Sequence, residues 1–179
     1  MADAIDHIRE QWARERPDLD TEPMGVLGRL YRVAAAAHEA MDRTCAMHGI
    51  SRGDYDVLAT LRRNGEPFEL SPGELSRSLL LTSGGMTGRL DRLQRADLVT
   101  RTPGTRDRRS QLVGLTDHGR EVIDRALEDG VETQRRLLAE LGAERRDQLD
   151  GLLRDLLEAV TRVATLPPPS PAPTRPARS

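Results

Sequence analysis

Apolar residues recur at helical spacing along most of this chain. Ile5, Ile8 and Trp12 stand at i, i+3 and i+7, which predicts a helix over Ala4–Arg16 that Pro17 ends. Leu27, Leu30, Tyr31, Ala34 and Met41 share a face of a longer helix, Met24–Met47, and Gly49 is its stop. A third helix spans Ser51–Arg63 and closes at Asn64-Gly65. Ser71-Pro72-Gly73-Glu74 combines a capping box with proline at the first helical position, opening a short helix to about Leu80. Thr82 or Ser83 caps the next helix, which runs to about Ala96. Leu98–Thr102 and Leu112–Thr116 read as two strands around a Pro-Gly turn. Helical periodicity returns over Asp117–Leu141 and Ala143–Ala164, with a break near Gly142 and a leucine stripe at Leu149, Leu152, Leu153, Leu156, Leu157 and Val160.

Three helices followed by a two-stranded hairpin is the order of a winged helix-turn-helix. The expected fold is therefore mainly α, with a small β-hairpin wing and a helical dimerisation lobe. In such a unit the helix after the tight turn enters the major groove. Here the turn is LLLTS and the reader is Ser83–Ala96. On a helical wheel, Leu90 and Leu93 fall within about 40° of Met86 and form the buried stripe. Gly84, Thr87, Gly88, Asp91, Arg92 and Arg95 lie opposite. Small and hydrogen-bonding groups can approach base edges closely. Ser83, Gly84, Thr87, Gly88, Arg92 and Arg95 are therefore the candidate DNA contacts of this helix. Arg89 lies about 60° from Met86, at the edge of the buried stripe rather than on the reading side.

Charge sharpens this picture. The chain carries a formal net charge of -2, yet Arg89–Arg109 holds seven arginines against three aspartates. All 27 basic residues are arginine, a bias that GC-rich coding explains; their clustering is a separate matter. A local basic stripe is the electrostatic footprint of nucleic-acid binding. Its tip carries Arg106, Asp107, Arg108 and Arg109. An arginine there suits a narrow, negative minor groove, and Asp107 suits a brace that aims it.

The run from Asp107-Arg108-Arg109 to Leu115-Thr116 fits D-x-R-x(5)-L-T, and with ELSRSLLLTSGGMTGRLDRLQRADLV it resembles the MarR family of transcriptional regulators over about Met24–Val163. That resemblance implies a minor-groove role for Arg109, braced by Asp107, and a two-fold dimer built by the terminal helices. WARERPDLDTEPMGVLGRLYRV, GDYDVLATLRRNG and LTSGGMTGRLDRL are similar to the PecS-type, urate-responsive branch. The branch implies four ligand-response positions, matched here by Trp12, Asp56, Arg89 and Arg101. Gly88 stands where the branch has Asn, which bears on base preference. Taken by itself, the pattern of Tyr55, Val57, Leu58 and Leu61 turns Asp54, not Asp56, toward the apolar arc. Core packing would equally account for Trp12, and phosphate binding for Arg101.

The expected organisation is an added helix over 1–22, a winged unit over 50–116, and a dimerisation region from 23–49 and 117–166. Residues 167–179, six of them proline, form a tail expected to be disordered. The expected partners are a double-stranded operator, a second copy of the chain, and a small anion such as urate or a related oxopurine. A carboxylate or phenolic ligand, or an architectural DNA binder with no ligand, are the alternatives. No catalytic constellation is evident, the four histidines lack metal-ligand spacing, and no cofactor is implied. GGMTG does not follow a strand as a phosphate loop must, and Cys45 has no evident activating base. No apolar run approaches the roughly 18 residues of a membrane span, and no export signal is seen, so the cytoplasm is the expected compartment.

Overall fold

A computed structural model describes residues 2–79, 83–103 and 111–163, the side chains of Ser83 and Gly84 excepted. The chain divides into two compact units, one up to Leu137 and one from Leu138. The first contains α1 (Ala4–Glu15), α2 (Glu22–Met47), α3 (Arg52–Arg63), β1 (Glu69–Leu70), α4 (Pro72–Leu79), α5 (Ser83–Arg95), β2 (Val99–Pro103), β3 (Gln111–Leu115) and α6 (Asp117–Leu137). The second contains α7 (Ala143–Val163). Mainly helical, with a small β wing, this is the winged helix-turn-helix expected from the sequence.

Local chemistry sets the ends of these helices. Asp3 accepts from the backbone of Ile5 and Asp6, and the Asp6 carboxylate reaches back to the Asp3 N–H. Ser51 and Asp54 make the same reciprocal box at α3, as do Ser71 and Glu74 at α4. Helix α2 stops where Gly49 turns left-handed, at φ 71°. The Ile50 N–H then bonds the Cys45 carbonyl and Gly49 bonds Ala46, and both Ile50 and Cys45 enter the core. Helix α5 stops the same way. Asp97 takes φ 56°, Leu98 bonds back to Leu93 and Asp97 to Gln94. Aspartate is among the few side chains that tolerate this conformation. The chain is thereby turned into β2 with Leu93 and Leu98 both buried.

The three strands form an antiparallel sheet in the order β1-β3-β2, with Leu70 opposite Val113 and Arg101 opposite Val113 from the other side. Strand β1 has no counterpart in the hydrophobic pattern, since two residues cannot show alternation. Helix α6 ends at Leu137 rather than Leu141; the residues beyond make a turn in which Leu141 bonds Leu138.

One core joins Val57, Leu58 and Leu61 of α3, Leu75 of α4, Met86, Leu90 and Leu93 of α5, Val99 and Val113 of the wing, and Ile123 and Ala126 of α6. Each fully buried leucine contributes about 1.5–3 kcal/mol. The root of the wing is tied to α6 through Thr116, whose hydroxyl donates to the Asp97 carbonyl at 2.7 Å and accepts from the Gly119 N–H at 2.8 Å. Gly119 lies so close to the Leu98 carbonyl that an added Cβ would stand 1.9 Å from its oxygen. Helix α1 packs on α2, where Arg29 donates to Asp3 at 2.8 Å and Asp6 at 2.5 Å. Helix α7, taken by itself, leaves Leu152 67% and Leu157 68% exposed.

Candidate nucleic-acid interface and ligand-response residues

Helix α5 divides as its sequence does. Met86, Leu90 and Leu93 are buried, while Thr87, Gly88, Asp91 and Arg95 are exposed. Nothing lies within 4 Å of where a Gly88 Cβ would stand, so this face is open to an approaching surface. Arg95 folds back on its own helix, its Nε donating to the Asp91 carbonyl at 3.3 Å. The wing strands are described, but Arg106, Asp107, Arg108 and Arg109 lie outside the described residues, as does the tail over 167–179.

Two arginines of α5 reach the first turn of α3. The Arg89 Nη1 donates to the Gly53 carbonyl at 3.0 Å. Its guanidinium rests where a Gly53 side chain would be, a Cβ there falling 2.4 Å from Arg89 Cζ. One turn later, Arg92 grips Asp54 with both edges, Nη2 to Oδ1 at 2.7 Å and Nε to Oδ2 at 3.3 Å. Arg92 was expected only on the exposed reading side, and its partner Asp54 was placed toward the apolar arc but given no role. The signal for the pair was available: an acid turned inward on α3 needs a cation, and α5 packs on α3.

Asp54 is buried, and burial alone would push its carboxyl up. The Arg92 guanidinium and the Ser51 hydroxyl and backbone N–H outweigh burial and hold it below the ordinary carboxylate value. Arg101, on β2, takes the other flank of α5 by pairing with Asp91, and its side chain is only 17% exposed.

The four ligand-response positions are not all drawn together. Arg89 and Asp56 both meet the N-terminal half of α3, Asp56 one turn beyond Gly53 and 3.6 Å from Arg52. Asp56 also lines a cavity of about 490 Å³ between α3 and α6, with Tyr55, Ala59, Arg62, Asp124 and Leu127 around it. Arg62 and Asp124 close one wall as a pair at 2.7 Å. Arg101 of β2 engages α5 through Asp91, and Trp12 stands on α1, 41% exposed. The thiol of Cys45 is buried, and burial pushes it up, which suits a packing role. Among the described residues, no three His, Cys, Asp or Glu are grouped to hold a metal, and no helix is long and apolar enough to cross a membrane.

Residues 48–110, which run from the end of α2 through the helix-turn-helix into the wing, match the MarR family. The chain is 40% identical over 149 residues to the HTH-type transcriptional regulator PecS of Dickeya dadantii, covering 83% of this chain and 90% of that protein. The chain belongs to the MarR family of transcriptional regulators. A crystal structure of a mutant MarR from E. coli complexed with operator DNA superposes with a TM-score of 0.66 at 26% identity, over 82% of this chain and 97% of that one. AbsC, a MarR family regulator from Streptomyces coelicolor, shares the fold, with a TM-score of 0.68 at 24% identity over 80% and 96% of the two chains. As a MarR-family protein this chain is a DNA-binding transcriptional regulator rather than an enzyme. In the winged helix-turn-helix fold, α5 is the helix that precedes the hairpin and β2–β3 form the wing.

Proposed function

We propose that this MarR-family regulator represses transcription as a homodimer on a pseudo-palindromic operator, and that a small anion, urate or a related oxopurine, releases it. The observation that carries the ligand part is the unequal state of three arginines around α5. Arg92 is neutralised by Asp54 and Arg101 by Asp91. Arg89 has a backbone carbonyl as its partner, and none of the ion pairs of the described residues includes it. Its positive charge is therefore available to an anion, at a point that ties the reader helix to α3.

An anion that takes Arg89 from the Gly53 carbonyl removes one of the two arginine ties that α5 makes to α3 beside their shared core. Asp56, three residues beyond Gly53, repels the same charge and disfavours a state in which the anion sits against a closed α3. The ligand relieves repression to the extent that it binds the DNA-incompetent arrangement more tightly. Trp12 on the added helix offers a stacking face to a flat ring, in keeping with the resemblance to the urate-responsive branch.

The domain roles follow the same reading. Residues 50–116 bind DNA, with Thr87, Gly88 and Arg95 of the exposed face of α5 as contacts, and with Ser83, Gly84, Arg106, Asp107, Arg108 and Arg109 as the further contacts that the sequence suggests. Residues 23–49 and 117–166 pair two subunits, for which the exposed leucines of α7 are the apolar surface. Trp12 is the chain's single tryptophan, so its emission reports whatever reaches α1. Urate should quench it in a saturable manner that Arg89→Ala abolishes. Quenching by carboxylates but not by purines would replace the ligand and keep the regulator. No saturable response to either class would leave a DNA binder without a ligand.

A further inference from the structure

Arg92 points its chain along the exposed flank of α5, where a groove-reading arginine would be expected, yet its head is already committed. Its side chain is 52% exposed, while that of its partner Asp54 is 7% exposed. The Asp54 carboxylate accepts from four donors: the Ser51 N–H at 3.2 Å, the Ser51 hydroxyl at 2.6 Å, and the Arg92 Nη2 and Nε. Two of those donors belong to Ser51, the N-cap of α3, and two to Arg92 of α5. The carboxylate is thus the knot between the two helices, and the partial positive charge of the α3 N-terminus favours its ionised form. A carboxylate this buried cannot release its cation cheaply, because an unpaired buried charge is far less stable than a paired one. The bidentate geometry also fixes the direction of the guanidinium, which a single contact would not.

We propose that Arg92 is a positioning residue: through Asp54 it sets the angle at which α5 leaves α3, and it does not read bases or hold phosphate. This rests on α5 being the helix that enters the groove. Together with the Arg89 contact one turn earlier, it gives the reader helix two polar attachment points on α3, beside the packing of Met86, Leu90 and Leu93 in the shared core. One of them, at Gly53, has a neutral acceptor and can be exchanged; the other, at Asp54, is ionic and stays. The helix then pivots about Arg92 when Arg89 lets go.

Operator affinity measured across a salt series tests this, using the full chain and the variants Arg92→Gln, Asp54→Asn, their double variant, and Arg95→Ala. A positioning residue carries no phosphate, so Arg92→Gln should weaken binding about tenfold with the dependence of log K on log salt unchanged. Asp54→Asn should weaken it by a similar factor, and the double variant should be no weaker than either single one. Arg92→Lys, which restores the charge without the fork, should recover only part of the loss. Arg95→Ala, on the groove face, should flatten the salt slope by about one. If Arg92→Gln flattens the slope by that amount and its loss adds to that of Asp54→Asn, Arg92 contacts DNA and the proposal falls. If Asp54→Asn does not fold, the slope of Arg92→Gln decides alone. If Arg95→Ala leaves the slope unchanged too, α5 is not the groove helix, and the reading beneath the proposal fails separately.

Discussion

Replacing Gly53 by alanine should uncouple ligand from operator while leaving the fold intact. An added Cβ would stand 2.4 Å from Arg89 Cζ, 2.5 Å from Nη2 and 2.8 Å from Nη1. Contacts this short cannot persist, so one side must move. The atoms in the way are the far end of a long, flexible side chain, and the guanidinium swings out before the backbone of α3 shifts. Two terms then oppose each other in stability. Alanine is preferred over glycine inside a helix by up to about 1 kcal/mol, less in a first turn. The lost hydrogen bond to a charged donor contributes about 1.5–3 kcal/mol when buried and a smaller amount at this half-buried site. The net change is within about 1 kcal/mol, a few degrees in melting temperature for a chain of this size. Function should change more. With Arg89 already displaced, α5 lacks the contact that the anion would remove, so operator affinity should drop several-fold without ligand. The ratio of affinities with and without urate should move toward one. Thermal melts and operator titrations on the same preparation check both halves. A melting temperature lowered by more than about 10 °C would mean that α3 gave way instead of Arg89. An undiminished urate response in a well-folded Gly53→Ala protein would mean that the Gly53 seat plays no part in release.

Gly119→Ala should behave oppositely, because the 1.9 Å contact is with the backbone oxygen of Leu98, which Thr116 and β3 hold in place. A loss of about 1–3 kcal/mol or more, seen as a lower melting midpoint, is expected; a wild-type midpoint would show that the wing root is not tightly fitted. At α1, hydrogen bonds from Arg29 and the Asp6 backbone lower the Asp3 carboxyl from its ordinary 3.8 to about 2, and Asp6 is lowered as well. These folded-state values lie below the unfolded one, so the tie is complete above pH 3.8 and is lost as pH falls toward 2. Trp12 emission should shift over that acid range and stay constant from pH 5 to 9; a change confined to the alkaline side would contradict the tie. Sedimentation should return about twice the 19.9 kDa chain mass, and joint Leu152→Arg and Leu157→Arg should halve it. A wild-type monomer at micromolar concentration would refute the dimer.

Much of the fold was legible because its punctuation is chemical. The Ser-x-x-Glu box at Ser71, the glycine after α2 and the stripe Met86-Leu90-Leu93 each have one physical reading, and the structure contains all three. Periodicity also turned Asp54 inward, and Asp54 is buried while Asp56 is only partly so. Strand β1 was not legible, because its place is decided by pairing with β3 rather than by its own two residues. Nor was the commitment of Arg92. A wheel assigns a side chain to a face by its Cα, but a long arginine can turn back along its helix to a carboxylate on the next one. The same limit applies to the ligand positions: Arg89 of α5 reaches the turn of α3 that precedes Asp56, while Trp12 stands on α1 and Arg101 of β2 pairs with Asp91, which residue types alone do not reveal.

Release of a labelled pseudo-palindromic duplex under urate, followed by fluorescence anisotropy, bears most directly on the claim that Arg89 couples an anion to DNA binding. The wild-type complex should dissociate as urate is added. The Arg89→Ala complex should form with an affinity closer to wild type than that of Arg109→Ala, and should then stay bound at urate concentrations that empty the wild type. The contradictory result is an Arg89→Ala protein that no longer binds the duplex yet still shows saturable urate quenching of Trp12. Arg89 would then be a DNA residue, and the anion would bind elsewhere.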